Sequence, residues 1–215
     1  MEDILELLAE PYEPQRPVVC FDEKPVQLLR DIREPKPVRP RQPKLEDYEY
    51  KREGTANIVM MVEPLRPWRH LEVTEQRTKL DFAEQMKRLV DVHYPGAACV
   101  RLVVDNLNTH GPASLYAAFE PAEALRIRKR LEFHYTPKHG SWLNPAECEI
   151  SALERQCLQR RIPDREALRL ETGAWEKQRN DEAVTINWRF TTPDARIKLR
   201  HLYPVSPSES SETKD

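Results

Sequence analysis

At 215 residues with 39% hydrophobic and 33% charged positions, the chain has apolar material for one core and polar material for its edges. A net charge of −2 is not that of a free-standing DNA-binding module, and no apolar run nears the roughly 20 residues that a membrane span needs. Four cysteines without a CxxC pair exclude a zinc knuckle or a disulfide framework and read as buried thiols, while five glycines leave no loop to cradle a nucleotide phosphate.

The start, MEDILELLAEPYEP, is acidic and amphipathic, unlike a signal peptide, so a cytoplasmic location is expected. Residues 2–9 place Ile4, Leu5 and Leu8 on one side of a short helix that stops before Pro11, either docked on the body or forming the end of a linker. PVVCFDE, from Pro17, reads as a buried strand that Lys24-Pro25 breaks, with VQLLRD as a brief continuation. The proline-rich REPKPVRPRQPK that follows cannot hold regular structure and is expected to be a surface excursion. Tyr48 to Arg52, Ala56 to Val62 and Trp68 to Thr74 supply the strands of an antiparallel meander, with turns at Glu53-Gly54 and Pro64 to Pro67.

Apolar residues at helical spacing then predict a helix over Thr78 to Val92, stopped by Tyr94-Pro95-Gly96. The next strand, Val100 to Asp105, follows a crossover and is therefore parallel to a neighbour. Pro112 to Arg130 reads as helix interrupted at Pro121, Leu131 to Tyr135 as a strand, and TPKHGSWLNP as a loop. Asn144 can cap a helix over Ala146 to Leu158 with Pro145 at its first position, and a further helix covers Asp164 to Asn180. The stretch VTINWRFTTPDARIKLRHLYP mixes a strand-like piece with a basic segment, and SPSESSETKD is expected to be disordered. The sum is an α/β fold with a mixed central sheet, an antiparallel meander plus parallel strands, flanked by helices. One domain over 16–204 is expected, preceded by a short helix or linker remnant (1–15) and followed by a tail (205–215).

Three acids fall where strands or helices begin or end: Asp22, Asp105 and Glu147. In an open sheet covered by helices, the carboxyl ends of central strands face one crevice, so the three can converge. Carboxylates are the ligands that hard divalent cations prefer, and a pair of such ions suits phosphoryl transfer. Taken singly, each acid also has a structural reading. Asp22 and Asp105 could be strand-end turns, and Glu147, three residues after Asn144, could close a capping box. Glu154 shares a helix face with Glu147 as a possible outer partner, whereas Glu23 should point to the opposite side of its strand from Asp22.

His110, His134 and His139 could contact phosphate or orient a carboxylate, or be polar surface. Trp142 could stack on a base or pack under its loop, and Asn108 and Lys138 are candidate substrate contacts. The basic clusters Arg126, Arg128, Lys129 and Arg130, then Arg155, Arg160 and Arg161, then Arg196, Lys198 and Arg200, are either solvated faces or phosphate clamps.

The motifs VVCFDE, DNLNTH and HYTPKHGSWLNPAE resemble the three acidic motifs of DDE-type transposases, in the bacterial insertion-sequence group of the mariner superfamily, and the likeness runs through nearly the whole chain. The resemblance implies a ribonuclease H-like fold and two Mg2+ or Mn2+ ions held by Asp22, Asp105 and Glu147. It also implies cleavage of DNA by water, followed by attack of the freed 3′-hydroxyl on target DNA. Asn108, His110, Lys138, His139 and Trp142 become the expected DNA contacts. Double-stranded DNA (element ends and target), a homodimer on that DNA and nucleoid association are implied as well. Family members carry N-terminal helix-turn-helix domains, and nothing here resembles a recognition helix. The expectation is a catalytic domain alone, with an upstream helix-turn-helix chain as a possible partner. The alternatives are an inactive remnant and a nuclease without strand transfer.

Overall fold

The structure is a computed structural model that describes residues 1–33 and 48–203. The tail and nearly all of the proline-rich excursion lie outside the described residues. Five strands form one sheet in the order β3-β2-β1-β4-β5: β1 (Val18–Asp31), β2 (Tyr50–Glu63), β3 (Trp68–Thr74), β4 (Val100–Val104) and β5 (Leu131–Tyr135). The first three are antiparallel neighbours, whereas β1–β4 and β4–β5 are parallel. The expected α/β class with a mixed sheet is what the chain adopts.

Alternation along each strand divides the apolar residues between two faces. Val18 and Cys20 of β1, Met60 of β2 and Val103 of β4 pack with α5 (Ala146–Leu153) and with Leu168 and Trp175 of α6 (Arg165–Asp181). Val19, Phe21, Met61, Leu102 and Val104 pack instead under α2 (Lys79–Arg88), α3 (Pro112–Ala118) and α4 (Pro121–Arg128). A helix precedes the sheet: α1 (Glu2–Ala9) buries Ile4, Leu5, Leu7 and Leu8, so it is docked on the body. No helix among the described residues is long and apolar enough to cross a membrane.

Three expectations need correction. Pro25 does not break β1, which runs on to Asp31. Strand pairing with β4 stops at Cys20, so beyond it β1 has a strand partner on one side only, and a missing N–H on the other side removes no ladder bond. Glu53-Gly54 is not a turn between strands but a bulge inside β2. The register moves by one between Gln27↔Thr55 and Leu29↔Arg52, so Glu53 and Gly54 together oppose Leu28, and Gly54 takes the φ of 104° that a side chain would resist. Residues 184–190 form no strand. The outer edge of β3 is already covered, because α6 supplies Glu176 to the Leu71 N–H (2.8 Å) and Asn180 to the Arg69 N–H (3.0 Å), leaving no ladder there to join. The basic segment after it is the helix α7 (Thr192–Lys198), started by a Thr191/Asp194 capping box.

One buried ionic knot holds α5 and α6 against the sheet. Glu149 of α5 is gripped through both oxygens by Arg179 of α6 (2.9 and 2.8 Å) and stands 3.0 Å from Nε of Arg69, whose side chain is 0% exposed. Removing one member of a buried ionic set strands the others in low dielectric. Glu149→Gln is therefore expected to cost about 3–5 kcal/mol in urea unfolding. A loss below about 1 kcal/mol, the range of exposed pairs, would contradict this account of how α5 is seated.

Candidate active site

The register of the parallel pair positions the two aspartates. Cys20 of β1 lies directly opposite Val103 of β4, and both side chains enter the core beneath α5. Asp22 and Asp105 come two residues further along each chain, so alternation carries both toward the α5 face, on adjacent strands roughly 4.8 Å apart. Asp105 follows the last residue of β4, whereas Asp22 sits inside β1, opposite Met60 of β2, where β4 leaves it. The expectation that Asp22 ends its strand is thus corrected: the neighbouring strand ends there.

Glu147 is the second residue of α5. Its helix is tied to β1 by Asn144, which is 1% exposed, donates Nδ2–H to the Phe21 carbonyl (2.8 Å) and accepts from the Ala146 N–H (3.2 Å). No capping box involves Glu147, whose own N–H bonds to the Asn144 carbonyl. The acidic end of α5 is therefore fastened to the residue just before Asp22. A burial penalty pushes the Asp22 carboxyl up to about 7, and the negative charges of Glu147 and Asp105 push the same way, while the Glu23 N–H bond (2.7 Å) opposes them. Asp22 thus lies within electrostatic reach of both Glu147 and Asp105.

Behind Asp105 lies His110, 1% exposed, with Nδ1 hydrogen-bonded to Asp105 Oδ1 and Nε2 3.5 Å from Oε2 of Glu23. Burial works against a charge on this ring, but the hydrogen bonds and charges of Asp105 and Glu23 outweigh it and lift its pKa to about 9. Of the three readings of His110, as a phosphate contact, a group that orients a carboxylate or polar surface, its burial between Asp105 and Glu23 favours the second. As expected, Glu23 points away from Asp22, into the opposite face.

Among the described residues, the other candidates make no hydrogen bond or ion pair with the three acids. Asn108, Lys138 and His139 are exposed loop residues, with His139 at a φ of 63°, and Trp142, exposed in a 3-10 turn (Ser141–Leu143), is edge-on to Phe190 at 5.4 Å. His134 is held by Asp3 (2.9 Å) and Glu132 (3.1 Å) on the α1 side. Glu154 pairs with Lys24. Much of the basic surface is spent internally: Arg126 grips Asp91 and Glu123, Arg161 pairs with Asp31, Arg160 with Glu171, and Arg196 with Glu2. Cys20 and Cys157 are the buried thiols expected, whereas Cys148 is exposed.

Two residues take a part here that the sequence reading did not give them. Asn144 was read only as a helix cap, and Glu23 only as the weaker neighbour of Asp22. The signal for Glu23 lay in the alternation that puts it beside Phe21, on the face to which the DNLNTH loop returns. For the tie from Asn144 to Phe21 the sequence holds no signal, since it joins residues 123 apart.

A divalent ion suits the donor chemistry, because the acids are hard oxygen donors and a dication would offset the burial penalty and the repulsion that together lift Asp22. With the side chains as they stand, no three His, Cys, Asp or Glu residues among the described ones form a group able to hold an ion. Asp105 Oδ1 is engaged by His110 and Asp22 Oδ1 by the Glu23 N–H, so each offers its other oxygen.

Comparison with known proteins identifies the class. The family described as DDE superfamily endonuclease matches residues 17–169, and the chain belongs to that family. Its fold is ribonuclease H-like. Similar solved structures are a Mos1 transposase paired-end complex with left transposon end (16% identity, TM-score 0.55, 82% of this chain and 53% of that one) and a Mos1 mariner paired end complex with Mn (18%, 0.55, 84% and 55%). A Mos1 strand transfer complex is also similar (16%, 0.54, 82% and 52%). The chain spans about half the length of these transposases, and at such identities the likeness is one of fold. No curated protein sequence matches the chain.

The lifted Asp22 pKa has a measurable consequence in metal-free protein. Between the ordinary 3.8 and about 7 the native state holds a proton that the unfolded chain has released, so stability falls as pH rises through that window. Asp22→Asn removes the penalty. In chelator, the variant is expected to exceed wild type by up to about 4 kcal/mol at pH 7, at about 1.4 kcal/mol per pKa unit, less whatever relief water gives a half-buried carboxyl, and to match it at the acid end. An advantage that does not change across the window would contradict the assignment.

Proposed function

We propose that this chain is the catalytic domain of a transposase, which cleaves DNA at the ends of an insertion sequence and joins them to a target. The observation that carries the reading is the Cys20↔Val103 register, which sends Asp22 and Asp105 to one face of the sheet, beneath the helix that bears Glu147. Membership in an endonuclease family of the DDE type supports the same chemistry.

In this reading Asp22, Asp105 and Glu147 hold Mg2+ or Mn2+, two ions per site, and related Mos1 complexes are described with Mn and with Mg. Such ions, when bound, would polarise the scissile phosphate and stabilise the leaving oxygen. The chain's own residues do the rest. Asn144 fixes the base of α5 against β1, and the two aspartates keep their separation because the sheet does. Exposed Asn108, Lys138, His139 and Trp142 serve as DNA contacts in this reading, with Trp142 offering an aromatic face to a base. Water breaks the phosphodiester to free a 3′-hydroxyl, and that hydroxyl then displaces a 3′-oxygen in the target strand. Related complexes described as paired-end support action by two copies on two DNA ends. An upstream helix-turn-helix partner would supply recognition of those ends.

A supercoiled plasmid incubated with the chain and Mn2+ tests this. Nicked and linear products are expected with wild type, absent in chelator, and reduced about a hundredfold or more in Asp105→Asn, the scale of losing a metal-assisted contribution of several kcal/mol. Equal nicking by both proteins would remove Asp105 from the mechanism.

A further inference from the structure

Among the described residues, Glu23 Oε2 and His110 Nε2 are two buried polar atoms without a hydrogen-bond partner, and they face each other at 3.5 Å. Glu23 extends from the face of β1 opposite to Asp22, its side chain only 4% exposed. Burying a carboxylate costs several kcal/mol unless a counter-charge meets it, and an apolar side chain there would serve the core at no such cost. The ring between the two acids is also held in orientation. Phe21 meets it edge-on at 5.2 Å and 80°, and Phe82 lies across it at 4.9 Å and 30°. The loop that carries it is fixed by its own N–H to the Leu107 carbonyl (3.0 Å) and by Ser114 Oγ–H to the Thr109 carbonyl (2.7 Å).

We propose that Glu23 and His110 form a positioning relay that aims Asp105: Glu23 anchors the far side of the ring, and His110 holds Oδ1 of Asp105 so that Oδ2 is turned to the site. The inference rests on Asp105 being a metal-holding carboxylate, as proposed above. An aspartate just past the end of a strand has two torsions free, and a donor on one oxygen fixes which oxygen is offered. Carboxylates that hold metal are themselves hydrogen-bonded for this reason. An imidazole can donate to Asp105 and face a carboxylate on its other side without repulsion only with hydrogen on both nitrogens. Its positive charge then offsets the buried Glu23, which stays out of the metal site.

Two measurements on the full chain test the relay. The first titrates Mn2+ alone into wild type, Asp22→Asn, His110→Phe, His110→Gln and Glu23→Leu. The Phe variant keeps an aromatic ring between Phe21 and Phe82 but cannot donate, and it is expected to weaken Mn2+ binding about 10–100-fold with its thermal midpoint within a few degrees of wild type. Gln, which restores one N–H toward Asp105, recovers part of the loss, and Glu23→Leu loses several-fold. Wild-type affinity in a folded His110→Phe overturns the relay while leaving the metal reading intact. No Mn2+ uptake by wild type, or uptake unchanged in Asp22→Asn, overturns the metal reading and the relay with it. The second measurement covers variants that fail to fold: proton NMR of the metal-free wild type is expected to give two low-field ring N–H signals from His110, one shifted by Asp105→Asn and the other by Glu23→Gln. A single ring N–H, or one indifferent to Asp105→Asn, overturns the relay.

Discussion

The parallel pairing of β1 with β4 is the constraint on which the rest depends. It is three residues long, from Val18↔Arg101 to Cys20↔Val103, yet it decides which side of the sheet each later residue meets. Side chains alternate with a period of two, so slipping β4 by a single residue would send Asp105 into the core beneath α2 and Val104 into the acidic crevice. The two hydrophobic faces forbid that slip. Val103 is enclosed beneath α5 while Leu102 and Val104 are enclosed beneath α2–α4, and every apolar residue would be wrongly placed in the shifted register.

The shortness of that pairing also shapes the site. Had β4 continued alongside β1, its backbone would have covered the flank of Asp22. Instead β4 stops at Val104, its chain turns through the loop that brings His110 back to Asp105, and β1 goes on with β2 alone. Burying Asp22 beside two other acids costs free energy, visible in its raised pKa. The stabilising contributions come from elsewhere: two apolar layers, the Arg69–Glu149–Arg179 knot two residues from Glu147, and the Asn144 tie to Phe21. Each holds in place an element that carries one of the acids.

Local patterns carried much of this into the sequence. Two short apolar runs ending at acids, a capped helix after Asn144-Pro145, and proline breaks at Pro95 and Pro121 gave the sheet, its helices and the three acids their order. What the sequence withheld was non-local. Pro25 breaks a strand only when its N–H is needed, which depends on where β4 leaves. Gly54 is a turn or a bulge according to the register of its partner. The edge of β3 is closed by α6 residues about a hundred positions away. At the proposed site, Asp105 and Glu147 lie at element ends where the sequence reading put them, Asp22 lies inside β1, and the burial of His110 and its link to Glu23 follow from packing against Phe21 and Phe82. The basic clusters showed the limit of counting charge: Arg126 and Arg196 are occupied by acids of the same chain.

Diffraction from crystals of the chain grown with Mn2+, recorded at the manganese absorption edge, tests the account most directly. Anomalous peaks within coordination distance of both Asp22 and Asp105, with Glu147 beside them, are the predicted result. Manganese bound only elsewhere, with that crevice holding none, would contradict it.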